Sequence, residues 1–326
     1  MVYIESESRD PYWNLALEEY VFEKMDPEQD YFMLWQNSRA VIVGKYQNTA
    51  EEIDPEYVDA HGIRVVRRLS GGGAVYHDDG NLNFTFIVGR ETGPDLDFHL
   101  FVIPVLRTLE ELGVHAEFNG RNDLTIDGKK FSGNSQYAKR GRVMHHGCIM
   151  LDSDLEQVQH VLRVKEAKFT SKSIKSVQSR VTTINDHAPE RISMDTFRET
   201  LKKQVFAEEP MRTYTLTDAD REAVEALAQD KYRTWEWNYG FSPDYSIRRE
   251  KKFESGLVTV QMDVEHAAVR EVRFFGDFFG NGEIGELEEA LKGVPLDSNL
   301  AEKLEELHAG TYIYGVSAEE LAELMR

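Results

Sequence analysis

The sequence predicts an α+β fold, in which a large mixed or antiparallel sheet carries packed helices and a small second α+β unit follows. Three observations predict it. Leu82, Phe84, Phe86 and Val88 alternate with Asn83, Thr85 and Ile87, the two-residue period of a strand. Asp127-Gly128 separates 124–126 from a run through Lys130, the signature of a tight hairpin. Trp13, Ala16, Leu17, Tyr20 and Val21 recur instead at helical spacing, so both element types occur in one chain.

In chain order, Asp10-Pro11 is a helix start, because proline suits the first helical position. Residues 31–35 and 40–44 read as a strand pair around Gln36-Asn37-Ser38. A short strand at 63–67 delivers the chain into three consecutive glycines, and Asp78-Asp79-Gly80 is a turn before the alternating strand. Phe101, Val102, Val105, Leu109 and Leu112 mark a helix that stops at Gly113. The next strand is 143–151. From Leu155 the character changes, and 165–180 is poor in apolar residues and rich in Ser and Lys. That stretch is either a plain exposed loop or a basic loop that closes over a nucleotide. Helices follow at 194–206 and 218–232. A boundary near 240–243 divides the chain into units 1–245 and 246–326. The second holds strands at 257–264 and 268–275 and helices at 284–291, 299–308 and 318–325.

Composition narrows the function classes. The 326 residues are 41% apolar and 29% charged, enough for a sizeable core, and the formal net charge is −20. Nonspecific nucleic-acid binding needs a basic footprint, which this balance excludes. The few local cation pairs, Arg67-Arg68 and Lys129-Lys130, therefore stand out. A single cysteine, Cys148, excludes an intrachain disulfide and fits a reducing compartment. No basic stretch leads into an apolar run near the N-terminus, and no run reaches the ~20 apolar residues of a membrane span. A cytoplasmic protein without a membrane partner is expected.

The chemistry concentrates between residues 67 and 136. Gly71, Gly72 and Gly73 follow two arginines, and without Cβ atoms their N–H groups can approach an anion closely. The loop lacks the GK[ST] ending of a phosphate-binding Walker loop and does not read as a dinucleotide fingerprint. Lys130 stands on the return strand of the hairpin with Lys129 on the opposite face. An anion cradle with one positioned cation suits an activated carboxylate or a phosphate. Asn122-Asp123 either cap a turn or, through Asp123, orient a magnesium ion. His145 and His146 are adjacent, so on a strand they face opposite sides and do not share an ion; His146 or His77 is a candidate pocket residue. Cys148 falls within an apolar strand and reads as a buried inert thiol.

Read together, these residues resemble the lipoate-protein ligase family. The resemblance rests on RRLSGGGAVYHDDGNLNFTF at 67–86, GRNDLTIDGKKFSGNSQ at 120–136 and HHG at 145–147. It continues through SIKSVQSRV at 173–181 and WEWNYG at 235–240, ordered along nearly the whole chain. It implies a catalytic domain of the biotin/lipoate ligase type with a small α+β accessory domain. It also implies ATP-dependent formation of lipoyl-AMP with Mg2+, then transfer to a lysine of an apo lipoyl domain. The acceptors would be E2 subunits of 2-oxoacid dehydrogenases and the glycine-cleavage H protein. Arg68, Gly73, Ala74, Val75, Tyr76, Lys130, Lys175, Ser176 and Arg180 would contact the nucleotide, and Ser70, Gly71, Gly72, Gly73, Lys130 and His146 the lipoate. Lys130 would be catalytic, and Asp123 a candidate magnesium contact. A monomer is expected, since no extended apolar seam is visible.

Two alternatives stand beside this reading. A lipoyl or octanoyl transferase would use Cys148 as its nucleophile, and a noncatalytic relative would bind lipoate without activating it. The GRGRxGR-type loop of biotin-protein ligases is absent, with RRLSGGGA in its place.

Overall fold

The structure is a computed structural model and describes residues 1–89, 98–119, 122–162, 180–240, 247–265 and 267–326, without the side chains of Ala50 and Glu51. Lys175, Ser176, nearly all of the basic stretch 165–180 and the far side of the expected boundary lie outside the described residues. Among those described, eight strands form the main sheet: β1 (Val2–Glu5), β2 (Tyr31–Trp35), β6 (Asn81–Gly89), β7 (Glu117–Asn119), β8 (Asp123–Ile126), β9 (Lys129–Lys139), β10 (Arg142–Met150) and β11 (Arg212–Thr213). Their order is β11-β1-β2-β6-β10-β9-β8-β7. β1 runs parallel to β2 and β11, and the other neighbours are antiparallel, so the sheet is mixed.

A second sheet holds β3 (Ala40–Val43), β4 (Arg64–Arg67) and β5 (Val75–His77) in the order β4-β3-β5. This corrects the expected pairing of 31–35 with 40–44, because β2 and β3 belong to different sheets. Both strands are buried on both faces, the mark of interior strands whose partners are distant in sequence. The link between them is anchored instead to the first helix, where Asn14 Nδ2 donates to the Gln36 carbonyl at 2.8 Å and to Asn37 Oδ1 at 2.9 Å.

The first helix, Pro11–Lys24, starts where Asp10 accepts the Tyr12 N–H and Pro11 takes the first position. Ala16, Leu17 and Val21 are fully buried, each contributing roughly 1.5–3 kcal/mol where a large side chain is involved. Trp13 and Tyr20, expected to face the core, are only half-buried. Helices Pro11–Lys24 and Asp218–Leu227 cover one face of the main sheet through Leu15, Met33, Tyr137, Met144 and Val224. Helices His99–Glu111 and Met194–Val205 cover the other through Phe32, Phe84, Phe86, Val105 and Phe197. The helix His99–Glu111 stops as expected, with Gly113 at φ +79°. The hairpin β8–β9 turns through Asp127 and Gly128, both at positive φ, which matches the twist of the strands.

C-terminally, β12 (Ile247–Phe253), β13 (Gly256–Glu265) and β14 (Ala268–Gly276) form an antiparallel meander. The first of these was not visible in the sequence, because IRREKKF carries exposed charges along an edge. Helices Ile284–Ala290, Leu300–Glu306, Ala309–Tyr312 and Ala318–Met325 pack against the meander around Val258, Val260, Met262, Phe274, Leu304 and Leu321. One residue from outside, Tyr46, joins this core.

Candidate active site

The register of the main sheet decides which side chains meet. Trp35, Asn83, Cys148, Gly133 and Asp123 lie in one row across β2, β6, β10, β9 and β8. Met33, Thr85, His146 and Ser135 form the next row on the same face. A cavity sits over these rows and under the glycine loop. Leu15, Trp35, Ile42, Ala74 and Val75 give it apolar walls, and Arg68, Gly72, Gly73, His77, Asn83, Lys130 and His146 are among its other lining residues.

Lys130 reaches this cavity because Gly133 leaves room. A Cβ on Gly133 would lie 2.9 Å from Lys130 Nζ. The ammonium is held by Asp123 at 2.7 Å, with both side chains about one-third exposed. Lys129 points out to solvent, as alternation requires. The backbone of Lys130 is bonded on its other edge: its N–H donates to the Arg180 carbonyl at 2.7 Å, and its carbonyl accepts from Thr182 at 2.9 Å. Arg180, the last residue of the basic stretch, is thus held beside Lys130.

The two arginines shape the loop from within. Arg67 is 1% exposed, and donates to the carbonyls of Gly44, Lys45, Gln47, Trp237 and Asn238 and to Thr49 Oγ1. Arg68 donates to Ser70 Oγ, the Ile42 carbonyl and the carbonyls of Gly71 and Gly73. Burial lowers both guanidinium pKa values to about 10, which leaves them charged at neutral pH. Arg68 therefore fixes the glycine loop and gives the cavity a positive potential. Gly72 N–H donates to Phe278, whereas the N–H groups of Gly73 and Ala74 have no protein acceptor among the described residues. Gly73 and Ala74 both line the cavity, which suits this pair to an anion there.

A buried polar chain closes the other end. Trp35 Nε1 donates to Thr85 Oγ1, which donates to Glu18 Oε1. His146 places Nδ1 3.1 Å from Glu18 and Nε2 2.6 Å from Ser70 Oγ. The carboxylate directs the imidazole proton to Nδ1, so Nε2 accepts from the serine. Two further residues line the cavity. Asn83 Nδ2 and His77 Nε2 have no hydrogen-bond partner among the described residues, and both side chains are nearly fully buried. Asn14 orients Asn37 so that its Nδ2 donates to His77 Nδ1, which places the His77 proton on Nε2. Both groups are thus donors on the cavity wall.

Of the expected residues, Arg68, Gly72, Gly73, Ala74, Val75, Lys130 and His146 line the cavity. Ser70 and Gly71 stand just behind, bonded to His146 and to Ser135 Oγ respectively. Tyr76 does not belong there as a side chain. It sits between Val75 and His77 on β5, so its ring turns the other way, into a cluster with Val41, Val43 and Val65. Cys148 is not the buried core thiol expected either; it is part-exposed on the cavity wall, with Sγ 3.7 Å from the Gly133 carbonyl. Glu18, Trp35 and Asn83 were missed. The signal for Glu18 was partial: it stands three residues from Leu15 and Val21 on the apolar face of the helix, but Glu19 is its neighbour.

The protein offers little to a metal ion. Asp123 already pairs with Lys130, and no group of three or more His, Cys, Asp or Glu converges among the described residues. A magnesium ion would fit only as a companion of nucleotide phosphates.

Two family models match the chain. The lipoyl protein ligase A/B catalytic domain matches residues 10–206, and the bacterial lipoate protein ligase C-terminus matches 242–325. The chain belongs to the lipoate-protein ligase family. It is 44% identical to lipoate–protein ligase 1 of Staphylococcus aureus over 97% of both chains. It is 40% identical to the lipoate-protein ligase LplJ of Bacillus subtilis over the full length of both. Among solved structures, lipoate-protein ligase A bound with ATP matches with a TM-score of 0.64 and 27% identity, over 74% of this chain and 98% of that one. The Plasmodium falciparum LipL1 structure, at 20% identity and TM-score 0.79 over 100% of this chain and 98% of its own, shares the fold of this ligase.

The buried histidines make a pH prediction for this ligase. Burial, with Arg68 and His146 adding, lowers His77 to about 3. Burial and His146 likewise take His145 well below its ordinary value. Both folded pKa values lie below the unfolded value of about 6.5, so this stability is complete above that pH and is lost as pH falls. The expected slope is up to about 1.4 kcal/mol per pH unit for each ring. Denaturation midpoints should drop below about pH 6.5, and a His145→Gln variant should show a shallower drop. An identical slope in that variant would contradict the assignment.

Proposed function

We propose that this chain is an ATP-dependent ligase that activates lipoate as lipoyl-AMP and passes the lipoyl group to a lysine of an acceptor lipoyl domain. The observation that carries this reading is Lys130. Its ammonium lies over Gly133 on the wall of a largely apolar slot that Gly73 and Ala74 also line. Support for each ligand comes from relatives: one solved ligase is bound with ATP, one from Thermoplasma acidophilum with lipoic acid, and a bipartite ligase is described with its E2 lipoyl domain.

In the first half-reaction the lipoate carboxylate attacks the α-phosphorus of ATP, forming the acyl–phosphate bond and releasing pyrophosphate. Two anions must meet, and Lys130 offsets their repulsion and the charge that develops. Arg68 adds fixed positive potential, and Gly73 and Ala74 offer N–H groups to a phosphate oxygen. Leu15, Ile42, Trp35 and Val75 take the aliphatic tail and exclude water from the mixed anhydride. In the second half-reaction an acceptor lysine amine attacks the carbonyl and AMP leaves.

The nucleotide contacts in this reading are Arg68, Gly73, Ala74, Val75, the main chain of Tyr76, Lys130, Lys175, Ser176 and Arg180. The lipoate contacts are Gly72, Gly73, Lys130 and His146, with Ser70 and Gly71 supporting them from behind. Magnesium would be held by the nucleotide with Asp123 nearby, and no step is assigned to it. The acceptors are apo E2 lipoyl domains and glycine-cleavage H protein, and the protein acts as a cytoplasmic monomer of a catalytic unit, 1–245, and an accessory unit, 246–326. Among the described residues no helix is long and apolar enough to cross a membrane.

Cys148 separates the ligase from the transferase. Cys148→Ser keeps lipoate- and ATP-dependent modification of the acceptor, because the thiol forms no bond in this mechanism. Loss of all modification in a folded variant would move the assignment to the thioester route. The reading itself is tested by pyrophosphate exchange into ATP. Exchange that requires lipoate supports it, and its absence favours a noncatalytic lipoate-binding relative.

A further inference from the structure

The glycine loop is packed from both sides, and the second side belongs to the C-terminal unit. A Cβ on Gly71 would lie 2.3 Å from the Phe278 carbonyl oxygen and 3.3 Å from Phe279 Cα. A Cβ on Gly72 would meet Arg68 Nη2 and the Phe279 ring, each at 3.1 Å. Glycine is thus required here by a neighbouring chain segment, 276–280, as well as by any anion. The Gly72 N–H donates to the Phe278 carbonyl at 3.2 Å, which sets the orientation of that peptide.

The segment is pinned in place. Tyr46 stacks on Phe278 with centroids 4.7 Å apart and planes 8° from parallel, and the Gly276 N–H donates to the Tyr46 carbonyl at 2.8 Å. Lys45 pairs with Glu283 at 2.9 Å. Phe279 also meets Phe98 at 5.4 Å, and Phe98 packs edge-on against His145 beneath the sheet. Phe278 is fully buried and Phe279 is 2% exposed.

We infer that Phe278 and Phe279 are positioning residues of the adenylation site. They hold Gly71 and Gly72, and through them the course of Gly73 and Ala74 along the cavity wall. Neither residue touches the reacting atoms; both act through the loop. The inference rests on the ligase reading and adds to it a dependence of carboxylate activation on two aromatic residues outside the glycine motif.

The test uses the full chain with Phe279→Leu, which keeps an apolar side chain and removes the ring, and with Gly71→Ala, which displaces the Phe278 carbonyl. Lipoate-dependent ATP–pyrophosphate exchange is measured beside single-turnover transfer from saturating synthetic lipoyl-AMP to an apo lipoyl domain. Exchange should fall about tenfold or more in each variant, the size of a lost oriented contact. The loss should lie partly in KM for ATP, transfer should fall by a much smaller factor, and Phe279→Tyr should restore exchange. Equal losses in both half-reactions, or none in exchange, overturn the inference, as the first would mean general loosening of the fold. Wild-type protein that exchanges no pyrophosphate would instead remove the ligase reading, and the inference with it.

Discussion

Lys130→Ala abolishes lipoate-dependent pyrophosphate exchange while the protein stays folded. The ammonium lies on the cavity wall where, in this reading, two anions must meet, and the guanidiniums of Arg67 and Arg68 are already engaged by backbone carbonyls. Removing a single group that stabilises developing charge costs roughly 10²–10³ in rate, and here the group also offsets ground-state repulsion. A fall of at least about a thousandfold is therefore expected. The change also leaves Asp123 without its 2.7 Å partner, so an uncompensated negative charge remains where the ammonium stood. Because both side chains are partly exposed, the cost to folding is small. Exchange near the wild-type rate would show that the central assignment is wrong.

Arg67→Ala has the opposite character, a collapse of stability rather than of chemistry. Arg67 bonds five carbonyls and Thr49 Oγ1, joining the turn after β3 to the helix Trp235–Tyr239. Truncation orphans these buried acceptors together, at about 1–3 kcal/mol for each that water cannot reach. A loss above about 4 kcal/mol is expected, enough to leave a marginal domain unfolded or insoluble. Arg67→Lys should recover only part of it, since an ammonium offers three donors where the guanidinium offers five. A variant that melts within a few degrees of wild type would refute this role.

What could be read from the sequence was mostly local. The cap at Asp10, the stop at Gly113 and the turn at Asp127-Gly128 each depend on neighbouring residues, and all three stand where expected. Pairing did not follow in the same way. β2 and β3 are runs of apolar residues buried on both faces, and such runs do not state which strand lies beside them. Within the site, the hairpin placed Lys130, alternation separated His145 from His146 without saying which faces the cavity, and Tyr76 was expected there although the strand period that sends Val75 and His77 inward turns it away. Arg67 stood out only as half of a local cation pair, and its structural role was hidden because the carbonyls that occupy it come from residues 44–47 and 237–238. The contact of Phe278 and Phe279 with the glycine loop joins segments about two hundred residues apart, so no local pattern could announce it.

The measurement that bears most directly on the central claim is mass spectrometry of a purified apo lipoyl domain incubated with the protein and free lipoate, with and without Mg-ATP. The account predicts a gain of one lipoyl group on the acceptor lysine only when ATP is present. No gain from free lipoate and ATP, together with transfer from an already lipoylated protein, would contradict it and make Cys148 the centre of the reaction.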